Sequence, residues 1–240
     1  MFLRAQDIVR FVHSGAVDVG FTGLDLVMES ALDVRKVQDL NFGHCRLVLA
    51  APEASGISSV EDVKDGSVVA TSFPNLTWQY FAKAGKVVEI TQVSGAAEVT
   101  PHIGVADMIV DLVSSGSTLR TNRMVEVDRV MESQAVIITT QRALDERGEE
   151  IEELVSAVKS VTDAENKKYL MADVPRDVLE EMLEIVPGIE GPTIMNIMGR
   201  EDMVAVHAVV DAPMVYETVA RIKRLGGRGI LIMPIDRMVD

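Results

Sequence analysis

Several things are scarce in this 240-residue sequence, and each scarcity closes off a class of protein. Cysteine occurs once, as Cys45, so no intrachain disulfide and no thiolate metal cluster can form. The ordinary role of such a residue is a small buried hydrophobe. Histidine occurs four times, with no His/Cys/Glu cluster at ligand spacing, which argues against a structural zinc site. Positive charge is outnumbered, 23 Lys+Arg against 37 Asp+Glu for a net charge of −14. That balance speaks against general binding to nucleic acid or to an anionic membrane surface. It leaves room for an anionic metabolite, because local arginines and backbone N–H groups can oppose the global field. No stretch approaches the roughly 18 apolar residues of a membrane helix; Leu47–Ala51 is only strand-sized. No basic segment followed by a long apolar core stands near the start, so the expected location is the cytoplasm.

What is present is a globular composition, 48% hydrophobic with 17 Gly and 8 Pro, and length for one large or two to three small domains. The chain is organised around residues 104–120. Ala106–Val113 reads as a strand, with Asp107, Ile109 and Asp111 on one face and Met108, Val110 and Leu112 on the other. Ser114, Ser115, Gly116, Ser117 and Thr118 follow, a small-residue turn opening a helix. Their N–H groups and hydroxyls suit a phosphate. Two carboxylates just ahead of such a turn suit a ribose bearing a 5′-phosphate, by accepting hydroxyl hydrogen bonds or by holding magnesium. A solvent-exposed connector after an edge strand would use the same residues.

Ahead of this stretch, Asp7–His13 reads as a short amphipathic helix and Val17–Phe21 as a strand, with Thr22 and Gly23 turning into a helix through Asp25–Met28. Val34–Leu40 and Cys45–Ala51 are further strands. Ser67–Ala70 is a buried strand, followed by a polar turn over Thr71–Thr77 and a helix through Trp78–Lys83. Val87–Val93 is a strand, and Ser94 is the expected N-cap of a helix containing Glu98, with Glu98 near the capping-box position. Strand, polar turn and helix thus recur at 71–77, 93–98 and 113–118, which implies a parallel or mixed sheet with the turns clustered at one edge. Met124–Met131 and Gln134–Thr140 are strands, the latter returning to the first unit. Crossings near 45–51 and 133–140 would make two lobes with a cleft between. Leu144–Lys168 reads as one long helix with Ile151, Leu154, Val155, Val158 and Val161 on one face. Lys167–Asp173 is a strand; Pro175 opens a helix with Val178, Leu179, Met182 and Leu183 inward. A turn-rich loop over Pro187–Thr193, strands near Thr193–Met198, Val204–Val210 and Arg228–Ile235, and a helix at Ala212–Leu225 complete a βαββαβ order, the ferredoxin-like unit. His207 reads as a packed or interface histidine.

These residues match a family. Arg4-Ala-Gln-Asp7, Val17-Asp-Val-Gly-Phe-Thr-Gly-Leu-Asp25, Phe73-Pro-Asn-Leu-Thr77, the Ala106–Leu119 signature, Gly188-Ile-Glu-Gly-Pro-Thr193 and Val204-Ala-Val-His-Ala208 together resemble long-form ATP phosphoribosyltransferases, which open histidine biosynthesis. The resemblance implies an α/β fold: a two-lobed catalytic body of the type II periplasmic-binding-protein kind, plus a C-terminal ferredoxin-like regulatory domain. Lobe I would comprise 1–48 and 136–165, lobe II 49–135 with the phosphoribosyl loop, and the effector domain 166–240. It implies transfer of the 5-phosphoribosyl group of phosphoribosyl pyrophosphate to N1 of ATP with Mg2+, inhibition by histidine, and homo-oligomers from dimer to hexamer. By the match, Ser114 to Thr118 hold the 5′-phosphate and Asp107 and Asp111 lie near the ribose. Arg4, Asp25, Ser72 in the 71–75 turn, and Glu98 would line the cleft for nucleotide or pyrophosphate, and Asp173 and Thr193 would lie near the effector. The family carries an opening strand and a Lys-Gly-Arg turn well ahead of its Arg-x-Gln-Asp motif, which here begins at Arg4. A body without those elements has an alternative reading, a two-lobed small-molecule binding or sensor subunit.

Overall fold

A computed structural model describes residues 1–186, 188–189 and 191–239. They fall into two compact units, Met1–Val155 and Ser156–Asp240.

The first unit holds two sheets. One has three strands in the order β1-β8-β2, where β1 is Val19–Gly23, β2 is Arg35–Asp39 and β8 is Ala135–Thr139, with β8 antiparallel to both neighbours. Helix α1 (Ala5–His13) buries Val9 and Val12 against Val136 and Ile138. The approach is so close that a Cβ on Gly20 would lie 2.5 Å from Ile8 and 2.7 Å from Val12. Helix α2 (Leu24–Ser30) follows β1 directly. Thr22 and Gly23, expected as a turn, are the last strand residues, paired with Val136 and Ala135.

The other sheet is mixed, in the order β5-β4-β6-β3-β7. Its strands are β3 (Cys45–Pro52), β4 (Val68–Thr71), β5 (Glu89–Gln92), β6 (Met108–Val113) and β7 (Met124–Ser133). β4 runs parallel to β5 and β6, while β3 is antiparallel to β6 and β7. Residues Leu47–Ala51 are all 0% exposed because both faces of β3 are covered, which is why that strand is continuously apolar. Leu47 and Leu49 join Met108, Val110, Leu76 and Phe81 on one face; Val48 and Ala50 join Ile109, Val113, Leu119 and Met124 on the other. The alternation expected for β6 is therefore the alternation observed. The chain passes between the sheets after β2 and returns after β7.

Three local expectations change. Helix α3 (Pro74–Lys83) begins inside the stretch read as a turn, with Pro74 in its first turn, where the missing N–H costs nothing. No α-helix opens at Ser94. Only a single 3-10 turn forms at Ala97–Val99, entered through Ala96 at φ 54° and without a side-chain cap, so the capping-box reading of Glu98 falls. Helix α5 (Gln141–Glu165) is broken at Arg147 (φ −142°, ψ 34°), next to Gly148, a weak helix former. It stops before Lys167.

The second unit runs β9 (Lys167–Pro175), α6 (Leu179–Ile185), β10 (Thr193–Ile197), β11 (Arg200–Asp211), α7 (Val215–Arg224), β12 (Arg228–Pro234). The sheet order is β10-β11-β9-β12, antiparallel throughout, which is the ferredoxin-like arrangement. Leu170, Ala172, Val174, Val204, Val206 and Ala208 face Met182 of α6 and Ile222 of α7. Leu183, expected inward, is exposed. Pro187 and Glu190 of the turn-rich loop lie outside the described residues.

Candidate functional site

β6 ends at Val113, and the chain then loops through Ser114–Gly116 into the short helix α4 (Ser117–Thr121). Gly116 adopts φ 72°, a left-handed conformation that glycine takes without strain. The loop walls a cavity of about 200 Å³ lined by Glu98, Asp111 and the residues Leu112–Leu119. Ser115 and Ser117 share a hydroxyl hydrogen bond of 3.0 Å. Burial pushes the Asp111 carboxyl above its usual range. The Leu112 N–H, which donates to Asp111 Oδ1 at 2.8 Å, opposes this, and the Glu98 carboxylate adds to it. Two acceptors that repel each other therefore face a pocket of hydroxyls and N–H groups. A ligand donating hydroxyl hydrogens to the carboxylates and oxyanions to the loop would satisfy both sides.

The structure does not bring Asp107 to this cavity. Asp107 precedes β6, and its Oδ2 accepts the Val68 N–H at 2.8 Å, tying the start of β6 to β4. Asp25 also departs from its expected cleft position. It is 5% exposed; its Oδ1 accepts the Ser133 hydroxyl at 2.6 Å and its N–H donates back to Ser133 Oγ at 3.0 Å. Asp25 fastens α2 to the end of β7, where the chain returns to the first sheet.

Arg4 and Ser72 do meet. They line one cleft of about 1130 Å³, together with Arg10, His13, Glu29, Asn75 and Gln92. Ser72 is oriented by donating to the Val93 carbonyl at 2.9 Å. The cleft's two sides are bridged by Glu29 of α2, which accepts the Asn75 and Leu76 N–H groups at 3.0 Å each. It thereby caps α3, whose own N-cap residue, Phe73, supplies no side-chain cap. Glu98 lines the loop cavity rather than this cleft. Sequence reasoning missed Arg10, Glu29 and Arg46. Arg10 and Glu29 read as ordinary charged residues of short helices, and Arg46 looks like an ordinary strand residue, so nothing local marked them.

A family model described as ATP phosphoribosyltransferase matches residues 4–160, and one described as the HisG C-terminal domain matches residues 164–237. The chain belongs to the ATP phosphoribosyltransferase family. A relative of that name from Methanopyrus kandleri is 49% identical over 239 residues, covering 100% of this chain and 83% of the relative. Others come from Methanocaldococcus jannaschii (45%, covering 100% and 84%) and Gemmatimonas aurantiaca (46%, covering 100% and 84%). Among solved structures, an ATP phosphoribosyl transferase (HisG:HisZ) complex from Thermotoga maritima is similar at TM-score 0.63 and 24% identity, covering 68% of this chain and 79% of that one; at that identity the likeness shows the fold.

Within the family's C-terminal domain, Asp173 lies on β9 opposite Ala205, and Thr193 opens β10 opposite His207. By register the two share one sheet face, two strands apart. Asp173 crowds Gly229, where a Cβ would lie 3.1 Å from its Oδ2. The Tyr169 hydroxyl and His207 Nδ1 share a 2.8 Å hydrogen bond on that same face. Among the described residues no helix is long and apolar enough to cross a membrane.

Proposed function

We propose that this chain transfers the 5-phosphoribosyl group of phosphoribosyl pyrophosphate to N1 of the adenine of ATP, releasing pyrophosphate, as the first step of histidine biosynthesis. The observation that carries the site assignment is the Ser114–Thr118 loop closing a small cavity with Asp111 and Glu98. The loop would hold the 5′-phosphate and the carboxylates the ribose hydroxyls. The larger cleft, with Arg4 and Ser72, would take the nucleotide.

The reaction breaks the bond between the anomeric carbon and pyrophosphate as adenine N1 attacks, through a sugar carrying positive charge. No side-chain nucleophile is required. The residues position two polyanions, and closure of the site around them would keep water from a hydrolysable donor. Asp111, kept partly desolvated beside Glu98, lies near the developing positive charge. Magnesium would arrive as part of the substrate. Among the described residues no group of three or more His, Cys, Asp or Glu side chains is placed to hold a metal ion.

We read residues 1–48 with 136–165 as one catalytic lobe, 49–135 as the other, and 166–240 as a regulatory domain binding histidine near Asp173 and Thr193. A homo-oligomer is part of the same reading. Met195, Leu231 and Met233 are 46%, 54% and 41% exposed on the sheet face away from α6 and α7, an apolar surface of the kind that subunit contacts cover. Pyrophosphate release on mixing the chain with ATP, phosphoribosyl pyrophosphate and magnesium is the expected result. Binding of both substrates with no release would instead mark a binding or sensor subunit.

A further inference from the structure

The 114–118 loop is held from behind by two arginines that each grip a backbone carbonyl. Arg46 Nη1 donates to the Ser114 carbonyl at 3.2 Å, and Arg120 Nη1 donates to the Ser115 carbonyl at 3.3 Å. In a trans peptide the carbonyl of one residue and the N–H of the next point in opposite directions. Fixing these two oxygens therefore aims the Ser115 and Gly116 N–H groups away from the arginines. Those two N–H groups have no protein acceptor among the described residues.

Arg46 is itself immobilised. It sits on β3, opposite Val113 on one side and Glu132 on the other. Its guanidinium forms a fork on Glu126 of β7: Nε lies 3.0 Å from both carboxylate oxygens and Nη2 lies 2.7 Å from Oε2. One more of its N–H groups goes to Ser114. The planar guanidinium holds the fork on Glu126 and the bond to Ser114 in one fixed geometry, which the rotatable donors of a single ammonium do not reproduce. A Cβ on Gly116 would lie 4.0 Å from Arg46 Nη2, so the guanidinium lies beneath the turn. Its charge is matched by Glu126, so what it supplies is orientation rather than net positive potential.

We propose that Arg46, locked by Glu126, is a positioning residue that orients the loop's amide N–H groups toward the donor's 5′-phosphate. The proposal rests on the loop being the donor-phosphate site. It makes a prediction that a simple charge role reverses. Removing the negative charge in Glu126→Gln would raise the positive potential near the phosphate and tighten the donor if charge mattered most. If positioning matters, the released guanidinium loosens the loop and donor binding weakens.

The test is steady-state kinetics on the full chain, with both substrates varied, for Glu126→Gln, Arg46→Lys, Arg46→Ala and Thr118→Ala. The expected result is a KM for phosphoribosyl pyrophosphate raised about tenfold in Glu126→Gln and Arg46→Lys, with the KM for ATP within about twofold. Part of the loss in Arg46→Ala is expected to return on adding millimolar guanidinium, which separates a local defect from misfolding. An unchanged or lowered donor KM in Glu126→Gln overturns the proposal. If Thr118→Ala alone raises the donor KM, the loop reading survives and the positioning role falls. If none of the four variants moves it, both fall.

Discussion

A Cβ on Gly23 would stand 2.3 Å from Asp25 Oδ1, the oxygen that accepts the Ser133 hydroxyl. The glycine leaves room for a buried carboxylate to reach across to the strand on which the chain returns from the second sheet. Gly23→Ala must push Asp25 off Ser133 or shift backbone. We expect a loss of about 1–3 kcal/mol, seen as a lower urea midpoint. A midpoint equal to that of the unsubstituted chain would show that Asp25 is free to move.

Glu29 caps a helix that has no cap of its own. Glu29→Ala leaves the Asn75 and Leu76 N–H groups without their carboxylate, at a cost of about 1 kcal/mol. Thermal unfolding should register this as a drop of a few degrees, and Glu29→Gln, which still accepts, should lose less.

The pattern of apolar residues made the fold legible. The alternation through Met108–Val113 and the unbroken Leu47–Ala51 run placed the two faces of the mixed sheet, and the βαββαβ order of the last 75 or so residues could be read from period and turns alone. What could not be read is which acidic residue serves structure. Asp25 follows a strand, Asp107 precedes one and Asp111 lies within one, and all look equally able to meet a ligand. Their fates depend on partners far along the chain: Ser133 for Asp25, the Val68 N–H for Asp107, and the serine loop for Asp111. The missing helix at Ser94 has a similar origin, since one residue with positive φ, Ala96, ends what local capping signals began.

Asp111 offers a pH test. Burial holds its carboxyl above the ordinary aspartate value, with Glu98 adding to the rise. The folded state therefore binds a proton there that the unfolded chain has already lost. Stability from this group is complete below the ordinary aspartate pKa and is lost as pH climbs through the raised folded value. Asp111→Asn should flatten that part of the stability profile, and Glu98→Gln should move it to lower pH. Denaturant midpoints taken between about pH 4 and pH 7 would reveal it; identical profiles in all three chains would contradict the burial argument.

Gly116 tests the loop as a catalytic element. Valine at φ 72° is strained, and its Cβ would crowd Arg120 Nη1 at 3.2 Å beneath the turn. Turnover of Gly116→Val is expected to fall ~100-fold or more while the circular dichroism spectrum is retained. Near-normal turnover would remove the loop from the site.

For the second unit, Asp173→Asn and Thr193→Ala should raise the histidine concentration needed for half-inhibition, with uninhibited turnover unchanged. Equal inhibition of both variants and the original chain would place the effector elsewhere.

The three-stranded sheet has a consequence for the order in which the molecule is built. Among the described residues β1 and β2 pair with β8 and with no other strand, and β8 lies at Ala135–Thr139, after every strand of the other sheet has been made. On a ribosome, β1 and β2 wait for β8 while the segment between Cys45 and Ser133, which pair with each other, is completed. Long-range pairing of this kind is slow, and waiting edges invite association with other chains. Chaperone dependence should therefore concentrate in nascent chains that end before residue 139.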